Sequence, residues 1–199
     1  LRSDGDRVMQ WPFRGHQPQM RPDGVRPGGP KRRKYLDDFK RGEDGEYHYD
    51  GAYIAYTGAL PRKRFLRRMW AATGGAAALL LAAGCMPGQT AGQPFYAALP
   101  LVAALILAGV NVYTLARMTK AGDPMRLYLC EQTVCRLPAL EIAAAVLAAL
   151  GAAGHVVWLT QGGNWFSAWG ALYLAAMALA AAGFGLAFAQ IRQVQFDTI

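Results

Sequence analysis

The residue best placed to do chemistry in this chain is an acid inside an apolar run: Glu141 lies four residues into the stretch Leu137 to Thr160, whose only other titratable side chain is His155. A carboxyl in hydrocarbon is costly unless it is paired, hydrated or protonated, so an acid there is a candidate proton or cation site that needs a partner. Asn111, five residues before Ala116 on the preceding apolar run, reaches a comparable depth if the two runs are antiparallel helices. Tyr113 and Thr114 are alternative partners, and the plainer reading is a structural hydrogen bond or contact with headgroup water. His155 lies fourteen residues beyond Glu141, which returns to nearly the same side of a helix but roughly 21 Å away at ~1.5 Å per residue. One site therefore does not hold both. Near its own end of the run, His155 would carry protons, bind a ligand or act as an interfacial polar residue.

Cys130 and Cys135 flank Glu131 on a stretch, Asp123 to Arg136, that opens like a helix, with Asp123 as cap and Pro124 at the first position. Five residues apart, they are expected on different sides of that helix, where they fill space and do not converge on a metal. No Ser, Cys or Asp nucleophile stands beside a base at a recognisable spacing, so the expectation is a non-enzymatic protein without cofactor or metal. Leu81-Ala82-Ala83-Gly84-Cys85 resembles a bacterial lipoprotein cleavage signal, which implies an acylated cysteine. Ala82 replaces the usual Leu and a long polar segment precedes the run, so an anchor that stays uncleaved is the ordinary reading.

The elements that must position these residues follow from charge distribution. Residues 1 to 68 hold 16 of the 21 Lys and Arg and 9 of the 13 acids. Beyond them lie four apolar runs, about 69–86, 95–116, 137–160 and 165–191, each long enough to cross a ~30 Å hydrocarbon core as a helix. They are apolar around the whole circumference, which leaves no face for water. Arg62, Lys63, Arg64, Arg67 and Arg68 precede the first run; Arg117, Lys120, Arg126 and Arg136 lie between the second and third; Arg192 follows the fourth. The other two connections, 87–94 and 161–164, contain no Lys or Arg. This asymmetry puts both termini and the middle loop in the cytoplasm of a multi-pass cell-membrane protein, of bacterial type, with the nine side chains before Arg192 anchoring at the membrane surface. Trp70, Phe95, Tyr96, Trp158, Trp165 and Trp169 near the run ends suit the headgroup zone.

The expected fold class is an all-α integral membrane protein, a four-transmembrane-helix bundle (69–199) with a short, partly disordered cytoplasmic amino-terminal region. Runs of Ala, with Gly151, Gly154, Gly183 and Gly185, let its helices approach closely. Residues 1–30 hold five Gly and five Pro without any period and read as a disordered tail. Residue 1 is Leu, which fits a fragment, a processed chain or a start at Met9 or Met20. Residues 31–68 form a basic, Tyr-rich segment: a short amphipathic helix over Lys31 to Lys40, then a hairpin pairing Tyr47-His48-Tyr49 with Ala52-Tyr53-Ile54 across Asp50-Gly51. The net charge of +8 beside apolar runs points to anionic inner-leaflet headgroups rather than nucleic acid. A subunit or accessory protein of a membrane complex is the leading expectation, its Tyr-rich segment docking a membrane-protein partner or the inner leaflet, with a homodimer the other partner expected. The alternative is a small proton- or cation-coupled transporter using Glu141.

Overall fold

A computed structural model of the chain describes residues 39–41, 46–49, 51–86, 92–162, 167–194 and 196–198. The expected tail over 1–30 and most of the expected helix over 31–40 lie outside them. In chain order the elements are β1 (Phe39–Arg41), β2 (Tyr47–Tyr49), β3 (Tyr53–Tyr56), α1 (Arg62–Met69), a π-helical turn (Trp70–Gly74), α2 (Gly75–Gly84), α3 (Phe95–Lys120), β4 (Met125–Arg126), α4 (Leu127–Gln132), α5 (Leu137–Gly162), α6 (Ala168–Arg192) and β5 (Phe196–Thr198).

The chain is mostly helical, and three helical stretches are long and apolar enough to cross a membrane: Phe95–Lys120, Leu127–Gly162 and Ala168–Arg192. The first apolar run is built differently. Arg62 to Gly84 is helical throughout, but α1 is strongly basic, and the π-helical turn separates it from α2, which is all Ala, Leu and Gly. α2, α6, α5 and α3 each pack on two of the others, closing a ring in that order.

On α3 and α5 the smaller side chains turn inward, toward the large buried side chains of α6, Tyr173, Met177 and Phe184. In α3, Ala97, Leu101, Ala104, Ala108, Asn111, Leu115 and Met118 are buried at alternating spacings of four and three, while Phe95, Leu99, Val102, Ile106, Val110 and Tyr113 form an exposed stripe of large side chains. α5 repeats the pattern, with Leu137, Glu141, Ala144, Ala148, Gly151 and His155 buried and Ile142, Val146 and Leu150 outside. Small inside and large apolar outside inverts the arrangement of a water-soluble bundle and is what lipid-facing helices require. Two glycines are needed for the resulting closeness. A Cβ on Gly154 would lie 3.0 Å from Ala97 Cα and Tyr96 O, and one on Gly183 would lie 3.0 Å from Ala76 Cβ and 3.1 Å from Ala72 O.

The strands correct the all-α expectation. β3 is the central strand of an antiparallel sheet in the order β4-β3-β5, pairing Ile54 with both Met125 and Thr198. The expected hairpin is absent: β2 pairs with β1 in a separate two-stranded sheet, Tyr49 opposite Phe39, and β3 turns away from β2. Phe39 and Lys40, expected at the end of a helix, are strand residues. Tertiary packing outweighs the local turn preference here, because Ile54 (3 % exposed) and Met125 (2 %) are anchored in a core that a lone hairpin lacks. Asp123 caps no helix either. The Asp123–Pro124 bond is cis, Asp123 Oδ1 accepts from the Tyr56 N–H at 3.3 Å, and α4 starts only at Leu127.

This sheet roofs one end of the bundle. Ile54, Met125, Phe65, Leu66, Leu115 and Leu137 belong to one buried cluster, which draws on β3, β4, α1, α3 and α5. Arg62 Nη2 donates to the Met118 carbonyl (3.1 Å) and Trp70 Nε1 to Thr119 Oγ1 (3.0 Å), tying the first helix to the end of α3.

Candidate functional site

Two apolar cores are stacked along the bundle, and a polar layer lies between them. On the first helix Met69 belongs to the roof cluster and Ala76 to the bundle cluster; on α3 the corresponding residues are Leu115 and Ala108, and on α5 Leu137 and Ala144. The inward residue between them is Thr73, Asn111 and Glu141 respectively, each fully buried.

Within this layer Thr73 Oγ1 donates to Glu141 Oε1 at 2.7 Å. Asn111 Nδ2 donates to the carbonyl of Leu140, Glu141's neighbour, at 3.3 Å. Asn111 is thus level with Glu141, as its depth implied, but Glu141 takes its hydrogen bond from a third residue. Glu141 Oε2 and Asn111 Oδ1 have no hydrogen-bond partner among the described residues. The layer therefore offers two buried acceptor oxygens without donors, a combination that favours uptake of a proton or a cation. Glu141 does not reach headgroup water in this arrangement, since it is 0 % exposed. Thr73 went unnoticed because it is one uncharged residue in a run of Ala, Gly and Leu. The helix carries it past Glu141 on a π-helical turn, an irregularity frequent at functional positions.

His155 occupies a separate polar cluster at the other end of the bundle. Its Nδ1 lies 2.9 Å from Gln93 Nε2, and its ring centroid is 4.2 Å from that of Tyr173 and 5.3 Å from that of Trp158. His155 Nε2, the Tyr173 hydroxyl and Gln93 Oε1 lack partners among the described residues. His155 is fully buried. Gln93 and Tyr173 carried no signal at sequence level, since neither lies near His155 along the chain.

The cysteine reading needs correction. α4 ends at Gln132, and the turn that follows lets the Cys135 amide donate to the Cys130 carbonyl at 3.2 Å. The two thiols consequently come within hydrogen-bonding reach of each other instead of pointing apart. Cys130 is buried, whereas Cys135 and Cys85 are exposed, and all three are free. No group of three metal-ligating side chains converges among the described residues.

Of the basic residues, Lys63, Arg64, Arg67, Arg68, Lys120, Arg126 and Arg136 are exposed, while Arg62 and Arg117 are half-buried. Arg117 Nη1 and Nη2 both donate to Gln132 Oε1 at 3.3 Å. Arg126 stands 5.3 Å over the Tyr49 ring, and Tyr49 meets Tyr53 and Tyr128 edge-on at 5.4 and 5.8 Å. Hydrogen bonding to Tyr128 is the main influence holding the Arg126 pKa above its ordinary value. Burial raises that of the Tyr56 phenol.

No known family model matches this chain, and neither the curated proteins nor the solved structures contain a match to it.

Proposed function

We propose that the chain is an integral membrane protein of four crossings with both termini in the cytoplasm, acting as a non-enzymatic subunit or accessory protein whose cytoplasmic roof docks a membrane-protein partner. The observation that carries this reading is the sheet joining β3, β4 and β5. It brings the amino-terminal segment, the loop between α3 and α5 and the carboxyl-terminal strand to one end of the bundle. The first two are rich in Lys and Arg and Arg192 stands just before the third, which favours a common cytoplasmic side. The unbroken helix from Arg62 to Gly84 supports the fourth crossing, because its apolar part from Met69 to Gly84 covers about 24 Å at ~1.5 Å per residue. The roof also presents Tyr47, which is 71 % exposed, beside the Tyr49–Arg126 cluster. Tyr and Arg are the side chains enriched in protein interfaces.

Removing β3 would dismantle the roof, so the test uses surface variants. Tyr47→Ala with Arg126→Ala, purified in mild detergent, should lose proteins that accompany the wild type while the chain stays membrane-inserted. An unchanged set of companions defeats the docking reading.

A second reading, a proton- or cation-coupled transporter, is favoured by the donor-poor layer of Glu141 and Asn111. It requires that Glu141→Gln abolish pH-dependent uptake into proteoliposomes without lowering expression. Normal uptake by that variant removes it.

A further inference from the structure

Beside the polar layer, a cleft of about 640 Å³ opens between α3 and the start of α5. Its charged walls are Arg117 and Arg136, with Gln132 also lining it, and its apolar walls are Val110, Tyr113 and Leu140. No carboxylate among the described residues lines it. Arg117 is held by Gln132 and stands 6.0 Å from the Tyr113 ring centroid. Arg136 is exposed, and its guanidinium has no hydrogen-bond or ion partner among the described residues. Two guanidiniums thus line one space with no counter-charge among the described residues, which is unfavourable unless an anion occupies it.

The start of α5 contributes little to this attraction. The Leu137 and Leu140 amides already donate to Thr133 and Arg136 carbonyls at 3.0 and 3.2 Å, and Pro138 has no N–H. The charge must come from the side chains. Depth identifies the anion's form. The arginines stand where the apolar run of α3 ends and that of α5 begins, whereas Tyr113 (64 % exposed) and Val110 (41 %) belong to the outward apolar stripe of α3. A ligand that fills the cleft therefore has an anionic head at the arginines and an apolar tail along that stripe.

We infer that this cleft binds one anionic glycerophospholipid, its phosphate between Arg117 and Arg136 and an acyl chain against Val110, Tyr113 and Leu140. This goes beyond general attraction of basic residues to a charged surface, because it requires a particular cavity. It rests on the membrane placement proposed above but fails separately from it: a protein that needs detergent yet shows no lipid preference keeps that placement and loses the site.

The full chain, purified in neutral detergent, is heated with phosphatidylglycerol, phosphatidylcholine or glycerol 3-phosphate. Phosphatidylglycerol should raise the unfolding temperature by about 2–4 °C over phosphatidylcholine. Arg117→Gln with Arg136→Gln should abolish that difference, and so should Ala139→Trp, which fills the cleft but keeps both charges. Lys63→Gln with Arg64→Gln, which removes the same charge elsewhere, should preserve it. The inference is overturned if the arginine pair retains the wild-type difference, or if Ala139→Trp retains it, since charge alone then suffices. Equal stabilisation by glycerol 3-phosphate also overturns it, in favour of a soluble phosphate.

Discussion

Thr73 and Glu141, on the first and third long helical stretches that bound the polar layer, are joined by a 2.7 Å hydrogen bond across the bundle. Other threonines behave differently: Thr114 and Thr119 on α3, and Thr133 in the turn after α4, return their hydroxyls to the carbonyl four residues back, at 2.7–2.8 Å. That back-bond is the usual resting place for a helical hydroxyl. Thr73 gives its hydroxyl to another helix, so this contact fixes the first helix against α5 in both height and rotation.

Thr73→Val should therefore strip Glu141 of its donor while leaving the carboxyl buried, at a cost of about 1–3 kcal/mol. Glu141→Gln keeps an acceptor for the same hydroxyl and should cost less. Replacing both, Thr73→Val with Glu141→Leu, removes the orphaned group and should recover much of the loss, as paired apolar replacements of buried polar groups tend to. Thermal unfolding in detergent compares the variants. Additive losses in the double variant would show that the two side chains do not act together.

The long apolar helices were legible in the sequence because uncharged apolar runs of that length have to be helical, whereas which face turns inward was not, since the runs are apolar on all sides. Glu141 and His155 were legible as well, being polar residues in apolar runs. What could not be read were their partners. Thr73 and Gln93 meet them only through tertiary packing, and nothing local distinguishes either residue. The hairpin failed for the same reason. Asp50-Gly51 favours a tight turn, but Ile54 gains more by entering the core with Met125 and Phe65 than a two-stranded ribbon offers. Cys130 and Cys135 were misread because a continuous helix was assumed where α4 in fact stops at Gln132.

Glycine positions should separate sharply. Gly154→Ala places a methyl 3.0 Å from backbone atoms of Ala97 and Tyr96, which cannot swing aside as a side-chain tip does, so α3 and α5 must part at a cost of about 1–3 kcal/mol. Gly109→Ala and Gly185→Ala meet nothing within 4 Å and should be neutral or stabilising by up to about 1 kcal/mol. Unfolding curves of the three variants decide it. A destabilised Gly109→Ala would point to a packed surface at that position that the isolated chain lacks.

The roof should yield to a single core substitution. Ile54, 3 % exposed, is the contact through which β3 meets both flanking strands, so Ile54→Ala should cost about 2–5 kcal/mol. Because the Leu127 amide donates to the Ala52 carbonyl at 3.0 Å, the chain beside Arg126 is protected while the roof holds. Trypsin should cut after Arg126 faster in the variant than in the wild type, with the helices still membrane-bound. Equal cutting would mean that the sheet does not depend on Ile54.

Orientation is open to a direct chemical test, because two exposed thiols lie at opposite ends of the bundle. Cys85 caps the carboxyl end of α2, two residues after the bundle-core residue Ala83, whereas Cys135 follows the roof-core residues Cys130 and Val134. If the Lys- and Arg-rich end is cytoplasmic, a maleimide that cannot cross membranes should label a chain retaining only Cys85 in intact cells. One retaining only Cys135 should stay unlabelled until the cells are opened. The reverse pattern would invert the protein and move the arginine cleft to the outer leaflet. A Cys85 that resists label even in opened cells, with an intact-mass increase of an acyl group, would instead make it the lipidated cysteine its preceding residues resemble.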